Sequence, residues 1–157
     1  GSTKCGVLTM KPSKFFTEEQ KKQITDAIKD AELNTSGEIR LHVEKRCKID
    51  VLDRAAYIFS KLKMHKTEKR NGVLFYLAIE DRKFAILGDA GINAVTPGDF
   101  WDEIRDVVLE HFNENRYADG LARGIRMAGE ALKEHFPYQS DDVNELSNEI
   151  SFGKEEK

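Results

Sequence analysis

One short apolar segment restricts the fold of this chain more than any other feature of its sequence. Residues 72–79 read GVLFYLAI, without a single charge, and follow Asn71. The shortness of the segment, its β-branched and aromatic residues and the turn signal before it favour a strand over a helix. Because a strand that is apolar on both faces must be covered on both, the segment predicts a central strand between two layers of helices.

Two further strands are expected beside this central strand. Apolar and polar residues alternate over 39–44, which predicts a strand with one more polar face. Residues 83–88 predict the return strand of a hairpin with 72–79. A helix is expected over 50–63, with Asp50 as its cap. Strands 39–44 and 72–79 therefore form a βαβ unit and should run parallel, with a right-handed crossover.

Three more helices complete the expected secondary structure. Thr17 and Gln20 carry the signature of a capping box, ahead of a helix that should end near Asn34. Pro97 favours the start of a helix over 97–112, and the periodicity of 117–136 predicts another. That last helix carries small residues four apart, which indicate close helix packing: Gly120, Gly124 and Ala128.

The order of these elements predicts an α/β fold, a three-layer α/β/α sandwich with a small mixed sheet in the strand order 1-2-3. The length of 157 residues indicates one domain. We expect residues 1–14 to be a flexible N-terminal segment and residues 15–138 to be the domain. Residues 139–157 hold six acidic and two basic residues, a net charge of −4, and predict an acidic tail that is partly packed and then disordered.

Composition excludes several classes of protein. The net charge of −3 does not fit a dedicated nucleic-acid binder, which is usually strongly basic. No apolar run reaches about 18 residues, so no membrane segment is expected, and the N-terminal residues lack the apolar stretch of a signal peptide. Two cysteines, Cys5 and Cys47, indicate neither a disulfide scaffold nor a cysteine-ligated zinc site. We therefore expect a cytoplasmic protein, and a monomer.

The predicted topology brings oxygen-bearing side chains to one edge of the sheet, the edge that is formed by the ends of the strands. Glu38 and Asn71 precede the two parallel strands, and Asp89 follows the antiparallel one. Carboxylate and amide oxygens suit a hard cation such as Ca²⁺ or Mg²⁺, and Asn93 and Asp99 are looser candidates in the following loop. The alternative is that these side chains only form caps and end strands.

Basic residues arrive at the same edge. Lys66, Lys69 and Arg70 lie in the stretch 61–70 and are candidates for binding a phosphate or another anion, the alternative being a solvated helix end. His65 is the one histidine of the four expected at this edge. The nucleophile elbow, the Walker A loop and the dinucleotide fingerprint are absent from the sequence, and no C-x5-R phosphatase loop follows Cys47. Hydrolysis of a phosphate ester would therefore need a metal ion.

Three motifs in this order resemble the TPM domain family, which includes thylakoid-lumen proteins linked to photosystem II repair and small bacterial proteins. The motifs are TSGEIRLHVE at 35–44, MHKT at 64–67 with RNGVL at 70–74, and FAILGDAGIN at 84–93. The resemblance covers about residues 15–152. It implies an α/β/α sandwich that binds a divalent cation, commonly calcium, in loops at one sheet edge.

The residues that match the family's motifs are Glu38, Asn71 and Asp89, with Asn93 and Asp99 more loosely. The expected function is a soluble TPM domain that binds a divalent cation, calcium before magnesium. Because acid phosphatase activity is attributed to some plant members, the alternative is a metal-dependent phosphatase acting on phosphate monoesters of a small molecule or a protein. Its catalytic candidates are His65, Arg70 and Asp89. A third alternative is a structural partner that uses its acidic tail.

Overall fold

A computed structural model describes residues 11–138 and 150–153 of this chain. Its regular elements confirm the predicted α/β class, with five helices and four strands in the described residues. In chain order they are α1 (Glu18–Glu32), β1 (Glu38–Glu44), α2 (Val51–Lys61), β2 (Gly72–Ala78), β3 (Lys83–Gly88), α3 (Ala90–Asn93), α4 (Phe100–Asn113), α5 (Tyr117–His135) and β4 (Ser151–Phe152), with 3-10 turns at Pro12–Lys14 and Met64–Lys66.

The four strands form one mixed sheet in the order β3-β2-β1-β4. β1 pairs in parallel with β2, and β2 pairs antiparallel with β3, as the βαβ unit and the hairpin predict. The sequence predicted that β1 is an outer strand with a neighbour on one side only. In the structure β4 pairs with β1 in parallel, at His42 and Val43. This prediction was wrong because a two-residue strand is too short to show a periodicity.

Side chains of β2 alternate between two cores, one on each face of the sheet. Val73, Phe75 and Leu77 pack in the larger core with α1, α4 and α5. Leu74 and Tyr76 pack in the smaller core with α2. All seven residues of β2 are buried, so the expected central strand and the three layers are both confirmed.

Helix starts follow the expected chemistry in two cases and differ in a third. Thr17 and Gln20 form a reciprocal capping box at α1, and the Asp50 carboxylate accepts two backbone N–H groups at the start of α2. The predicted helix over 97–112 begins later, at Phe100, because Pro97 accepts the N–H of Phe100 in a turn before the helix. The loop predicted before it contains the short helix α3.

The predicted terminal segments are only partly described. Pro12 is buried in a 3-10 turn within the segment expected to be flexible, and residues 1–10 lie outside the described residues. In the predicted tail, Ile150 and Phe152 pack against the larger core, whereas residues 139–149 and 154–157 also lie outside the described residues. The domain limits therefore stay a prediction. Among the described residues, no helix combines the length and apolarity needed to cross a membrane.

The small residues of α5 allow neighbouring helices to approach it closely. A Cβ atom on Gly124 would lie 2.5 Å from Val108 Cγ2 of α4, and one on Gly120 would lie 2.8 Å from His111 Cβ. Gly129 makes the same kind of approach to Ala31 of α1, at 2.5 Å. Close packing therefore explains this stripe, including a glycine that the sequence did not single out.

We predict that Gly124→Ala lowers the free energy of unfolding by up to about 2 kcal/mol. Overpacking a core costs about 1–3 kcal/mol, and alanine recovers about 1 kcal/mol of helix propensity. Urea unfolding measures the change. The control is Gly98→Ala, because no atom lies within 4 Å of a Cβ built there. Equal stabilities of the two variants would contradict the packing argument.

Candidate functional site

The strand register places two acidic residues on either side of a glycine. Glu38 pairs with Gly72 across β1 and β2, and Val73 pairs with Gly88 across β2 and β3. One residue further along this register, Asp89 lies opposite Gly72, and its N–H donates to the Gly72 carbonyl at 2.9 Å. Glu38, Gly72 and Asp89 thus form one row across three strands, here called the acidic row. Its ends are roughly 10 Å apart, two strand spacings.

Both carboxylates of the acidic row belong to the same face of the sheet. The side chains of paired residues on neighbouring strands point to the same face of the sheet. For the acidic row this is the face that α2 covers, because a Cβ on Gly72 would lie 3.7 Å from Phe59 Cζ. The main-chain oxygen of Met64 lies 3.1 Å from that Cβ position. A carbonyl oxygen therefore lies over the glycine between the two acids. Sequence reasoning missed both Gly72 and this oxygen, since neither is a chemically distinctive side chain.

Asp89 is buried and holds a guanidinium. Its carboxylate oxygens accept from Arg70 Nε at 2.7 Å and Arg70 Nη2 at 2.8 Å, and Oδ1 also accepts the N–H of Ala90 at 2.7 Å. The Asp89 side chain is 7% exposed, whereas the Arg70 side chain is 51% exposed. The hydrogen bond and the charge of this carboxylate raise the pKa of Arg70. Arg70 therefore belongs to the site, in direct contact with a predicted metal ligand.

Asn71 is the third predicted ligand at this edge. It is 1% exposed, and its Nδ2 donates to Ser36 Oγ at 3.3 Å. Lys69 Nζ donates to the same hydroxyl at 3.4 Å. The main-chain carbonyl of Asn71 accepts the N–H of Glu38 at 3.4 Å. The structure therefore brings Asn71 and Lys69 to the end of β1, together with a serine that the sequence analysis did not select.

Other predicted residues lie further from the acidic row or are committed elsewhere. The amide of Asn93 donates to the Gly88 carbonyl at 2.8 Å and accepts from Trp101 Nε1 at 2.8 Å. Asp99 is exposed at the start of α4 and makes no capping hydrogen bond. Lys66 is exposed in the 3-10 turn before Thr67, and the half-buried His65 of that turn has a buried Nδ1 that makes no hydrogen bond within the described residues.

A further acidic side chain near this edge was not predicted. Glu32, the last residue of α1, accepts the N–H of Ile39 at 2.7 Å. Burial raises the pKa of Glu32 to about 8, and the nearby charge of Glu38 acts in the same direction. The sequence gives little sign of this role, because a polar residue at a helix end normally faces water. Glu32 thus accepts the Ile39 N–H of β1, which lies outside the two residues of β1 that pair with β4.

The donor set agrees in chemistry with a hard cation. Glu38 and Asp89 offer carboxylate oxygens, Asn71 an amide oxygen and Met64 a main-chain oxygen, which are the ligand types that Ca²⁺ and Mg²⁺ prefer. Among the described residues, no group of three His, Cys, Asp or Glu side chains is arranged to hold a metal ion. Any cation at the acidic row would therefore depend on amide, main-chain or water oxygens besides the two acids.

Two cavities on the helical side of the molecule are separate from this edge. One of about 150 Å³ lies beside Asp30 and Arg126, and one of about 480 Å³ lies beside Phe100 and Met127. None of the residues that line them belongs to the acidic row.

A second buried polar cluster lies further along β1. Glu44 lies 3.3 Å from His42 Nε2 and accepts from Arg54 Nε at 3.0 Å and from the Tyr76 hydroxyl. These three contacts hold the pKa of Glu44 at about 2 despite its burial. His42 Nδ1 lies 2.9 Å from Ser151 Oγ of β4. The cluster therefore ties α2 and β4 to β1, which explains why the polar face of this strand is buried.

The comparisons with known proteins agree with this architecture. The family model for the TPM domain, which carries the name TPM phosphatase, matches residues 9–131. This chain belongs to the TPM domain family. Its TPM domain thus includes β1 to β3 and the whole acidic row, so the resemblance seen in the sequence motifs is confirmed. A search of curated proteins gave no match.

Solved structures share the TPM fold. The NMR structure of BA42 protein from the psychrophilic bacterium Bizionia argentinensis is 51% identical, covers 89% of this chain and 97% of its own, and superposes with a TM-score of 0.83. The N-terminal domain of a protein from P. gingivalis is 18% identical, covers 81% and 84% of the two chains, and has a TM-score of 0.64. The N-terminal domain of cg2496 from Corynebacterium glutamicum is 13% identical, covers 83% and 81%, and has a TM-score of 0.63. The last two show the fold alone.

We predict that Glu32 makes the stability of this TPM domain fall as the pH rises from about 4.5 toward 8. The folded domain retains the Glu32 proton up to a pKa of about 8, whereas the unfolded chain releases it near the ordinary glutamate pKa of 4.5. The contribution of this proton to stability is therefore complete below about pH 4.5 and lost as the pH passes 8. Glu32→Gln keeps an oxygen for the Ile39 N–H and removes the titration.

Urea unfolding at several pH values between about 5 and 8 measures this difference. The matched control is Glu19→Gln, which removes an exposed carboxylate from the same helix. The Glu19 variant should follow the unmodified chain, and the Glu32 variant should have a flatter pH profile. Parallel profiles for all three proteins would show that Glu32 titrates normally.

Proposed function

We propose that this TPM domain binds a divalent cation, Ca²⁺ before Mg²⁺, at the acidic row. The observation that supports this best is the burial of Glu38 and Asp89 on one face of the sheet, with only a glycine between them. The two residues are 2% and 7% exposed. Two carboxylates buried in one row repel each other, and a cation bound between them would lower that cost.

Within this proposal the residues differ in their roles. Glu38 and Asp89 supply charge, and the amide oxygen of Asn71 and the main-chain oxygen of Met64 add neutral donors. Ca²⁺ takes six to eight oxygens in flexible geometry, which fits a mixture of carboxylate, amide, carbonyl and water better than the strict octahedron of Mg²⁺. Asn93 and Asp99 are outer candidates, since the Asn93 amide already bonds to Gly88 and Trp101 and Asp99 is exposed.

A calcium titration followed by amide NMR tests this function. We expect saturable shifts at residues 36–39, 70–72 and 88–100, and the loss of these shifts in Glu38→Gln and Asp89→Asn. Glu68→Gln is the matched control, because it removes an exposed carboxylate from the loop before β2. Binding that survives both row variants, or shifts confined to other parts of the chain, would contradict the assignment.

The alternative is a metal-dependent hydrolase of phosphate monoesters. The specific observation in its favour is the half-exposed guanidinium of Arg70 beside Asp89, with Lys69 at the same edge. A bound cation would polarise a phosphoryl oxygen. Arg70 and Lys69 would hold the other oxygens while a water molecule attacks phosphorus, and His65 would give a proton to the leaving ester oxygen. Lys66 would attract the anion. The Ser36 hydroxyl lies at this edge as well.

Hydrolysis of p-nitrophenyl phosphate with and without a chelator tests this alternative. The activity should depend on a divalent cation and fall at least roughly 100-fold in Asp89→Asn, as expected when a group that positions the metal is lost. Glu68→Gln again serves as the control. Equal rates for the unmodified chain and the Asp89 variant would reject the role of Asp89 in hydrolysis.

A further inference from the structure

The ion pair between Arg70 and Asp89 is unequal in its exposure. Asp89 is 7% exposed and Arg70 51% exposed, although the guanidinium binds both carboxylate oxygens. With the N–H of Ala90 included, three donors approach this carboxylate, which offers about four lone-pair directions. The oxygens of Asp89 are therefore largely occupied by a group that faces solvent.

The backbone of this pair is fixed, so only the arginine side chain is free to leave. Arg70 has a φ of 50°, in the left-handed region, and its carbonyl accepts the N–H of Gly91 at 2.7 Å. A Cβ on Gly91 would lie 2.1 Å from the Lys69 oxygen, so α3 is pressed against this loop. Asp89 is fixed as the N-cap of α3. A rotation of the Arg70 side chain into water exposes Asp89 without moving any of these contacts.

We propose that Arg70 is a built-in counter-ion of Asp89 that competes with a divalent cation, and that this competition sets the cation affinity of the acidic row. The inference rests on the proposed function. Turning Arg70 outward removes one positive charge from the acidic row and frees both carboxylate oxygens of Asp89. Because the affinity of an oxygen site for Ca²⁺ rises with its ligand charge, Arg70 holds the affinity down.

This role differs from that of an ordinary structural ion pair. A half-exposed pair contributes little to stability, since water and salt screen it. If Arg70 only fastened the loop to α3, its replacement would change stability and leave cation affinity unchanged. If Arg70 competes with the cation, its replacement raises affinity even when it lowers stability. Affinity and stability therefore change in opposite directions only for a competing counter-ion.

The test compares Arg70→Gln with Arg82→Gln in the full chain. Arg82 is a matched control because it is exposed and also has a positive φ, 54°. It lies in the turn between β2 and β3, at the opposite end of the strands. Both variants lose one positive charge and place glutamine in the same backbone region. A third variant, Arg70→Lys, keeps the charge but loses the bidentate geometry. Calorimetric titration with CaCl₂ alone gives the affinities, and thermal unfolding checks that each variant folds.

We expect Arg70→Gln to bind Ca²⁺ roughly 10-fold or more tightly than the unmodified chain, Arg70→Lys to lie between them, and Arg82→Gln to differ by less than about 2-fold. A second readout uses the unmodified chain. The side-chain Nε–H signal of Arg70 in the NMR spectrum should move toward the position of a solvated arginine as Ca²⁺ is added.

The outcomes separate the two proposals. Measurable binding by the unmodified chain and Arg82→Gln, with the same affinity in Arg70→Gln and an unmoved Nε–H signal, overturns the competition and keeps the proposed function. Absence of binding in all four proteins at millimolar Ca²⁺ overturns the proposed function, and the competition with it. If Arg70→Gln fails to fold, the Arg70→Lys affinity and the Nε–H signal decide.

Discussion

The parallel pairing of β1 with β2 is the constraint on which the rest of this structure depends. β2 is buried on both faces, so its side chains leave no freedom in the choice of register. A slip of one residue would turn every side chain of β1 to the opposite face and put Glu38, His42 and Glu44 into the larger apolar core. The observed register pairs Glu38 with Gly72, and the hairpin then brings Asp89 opposite the same glycine. The site is thus a consequence of the sheet pairing.

Sequence periodicity predicted the parts of the fold that repeat a pattern over several residues. The apolar run of β2, the capping box at Thr17 and the cap at Asp50 were all readable, because each depends on neighbours in the chain. The strand β4 was not, because two residues carry no period, and its contacts with His42 and Val43 bridge more than a hundred residues of sequence. A short element whose contacts are all distant in the sequence cannot be predicted from local patterns and is found only in the tertiary structure.

The candidate site was predictable to a similar degree. The topology alone placed Glu38, Asn71 and Asp89 at one sheet edge, and the structure has them there. It did not show that Arg70 binds both oxygens of Asp89, because a pair 19 residues apart depends on the detailed path of two loops. Nor did it show Glu32, whose burial follows from the way α1 ends against β1. Side-chain partners across loops lie beyond what spacing in a sequence conveys.

Two arginine–carboxylate pairs in this domain use the same chemistry with different surroundings. At Glu44, Arg54 is joined by the Tyr76 hydroxyl and by His42, and the arginine side chain is 32% exposed. At Asp89, the Arg70 side chain is 51% exposed, and the only other donor to that carboxylate in the described residues is the Ala90 N–H. Removing Arg54 would leave a buried carboxylate inside a packed cluster, whereas turning Arg70 outward opens Asp89 at the end of the sheet. Exchange with a cation from solution would therefore cost less at Asp89 than at Glu44. For this reason we propose cation binding at the sheet edge and assign the Glu44 cluster to holding the layers together.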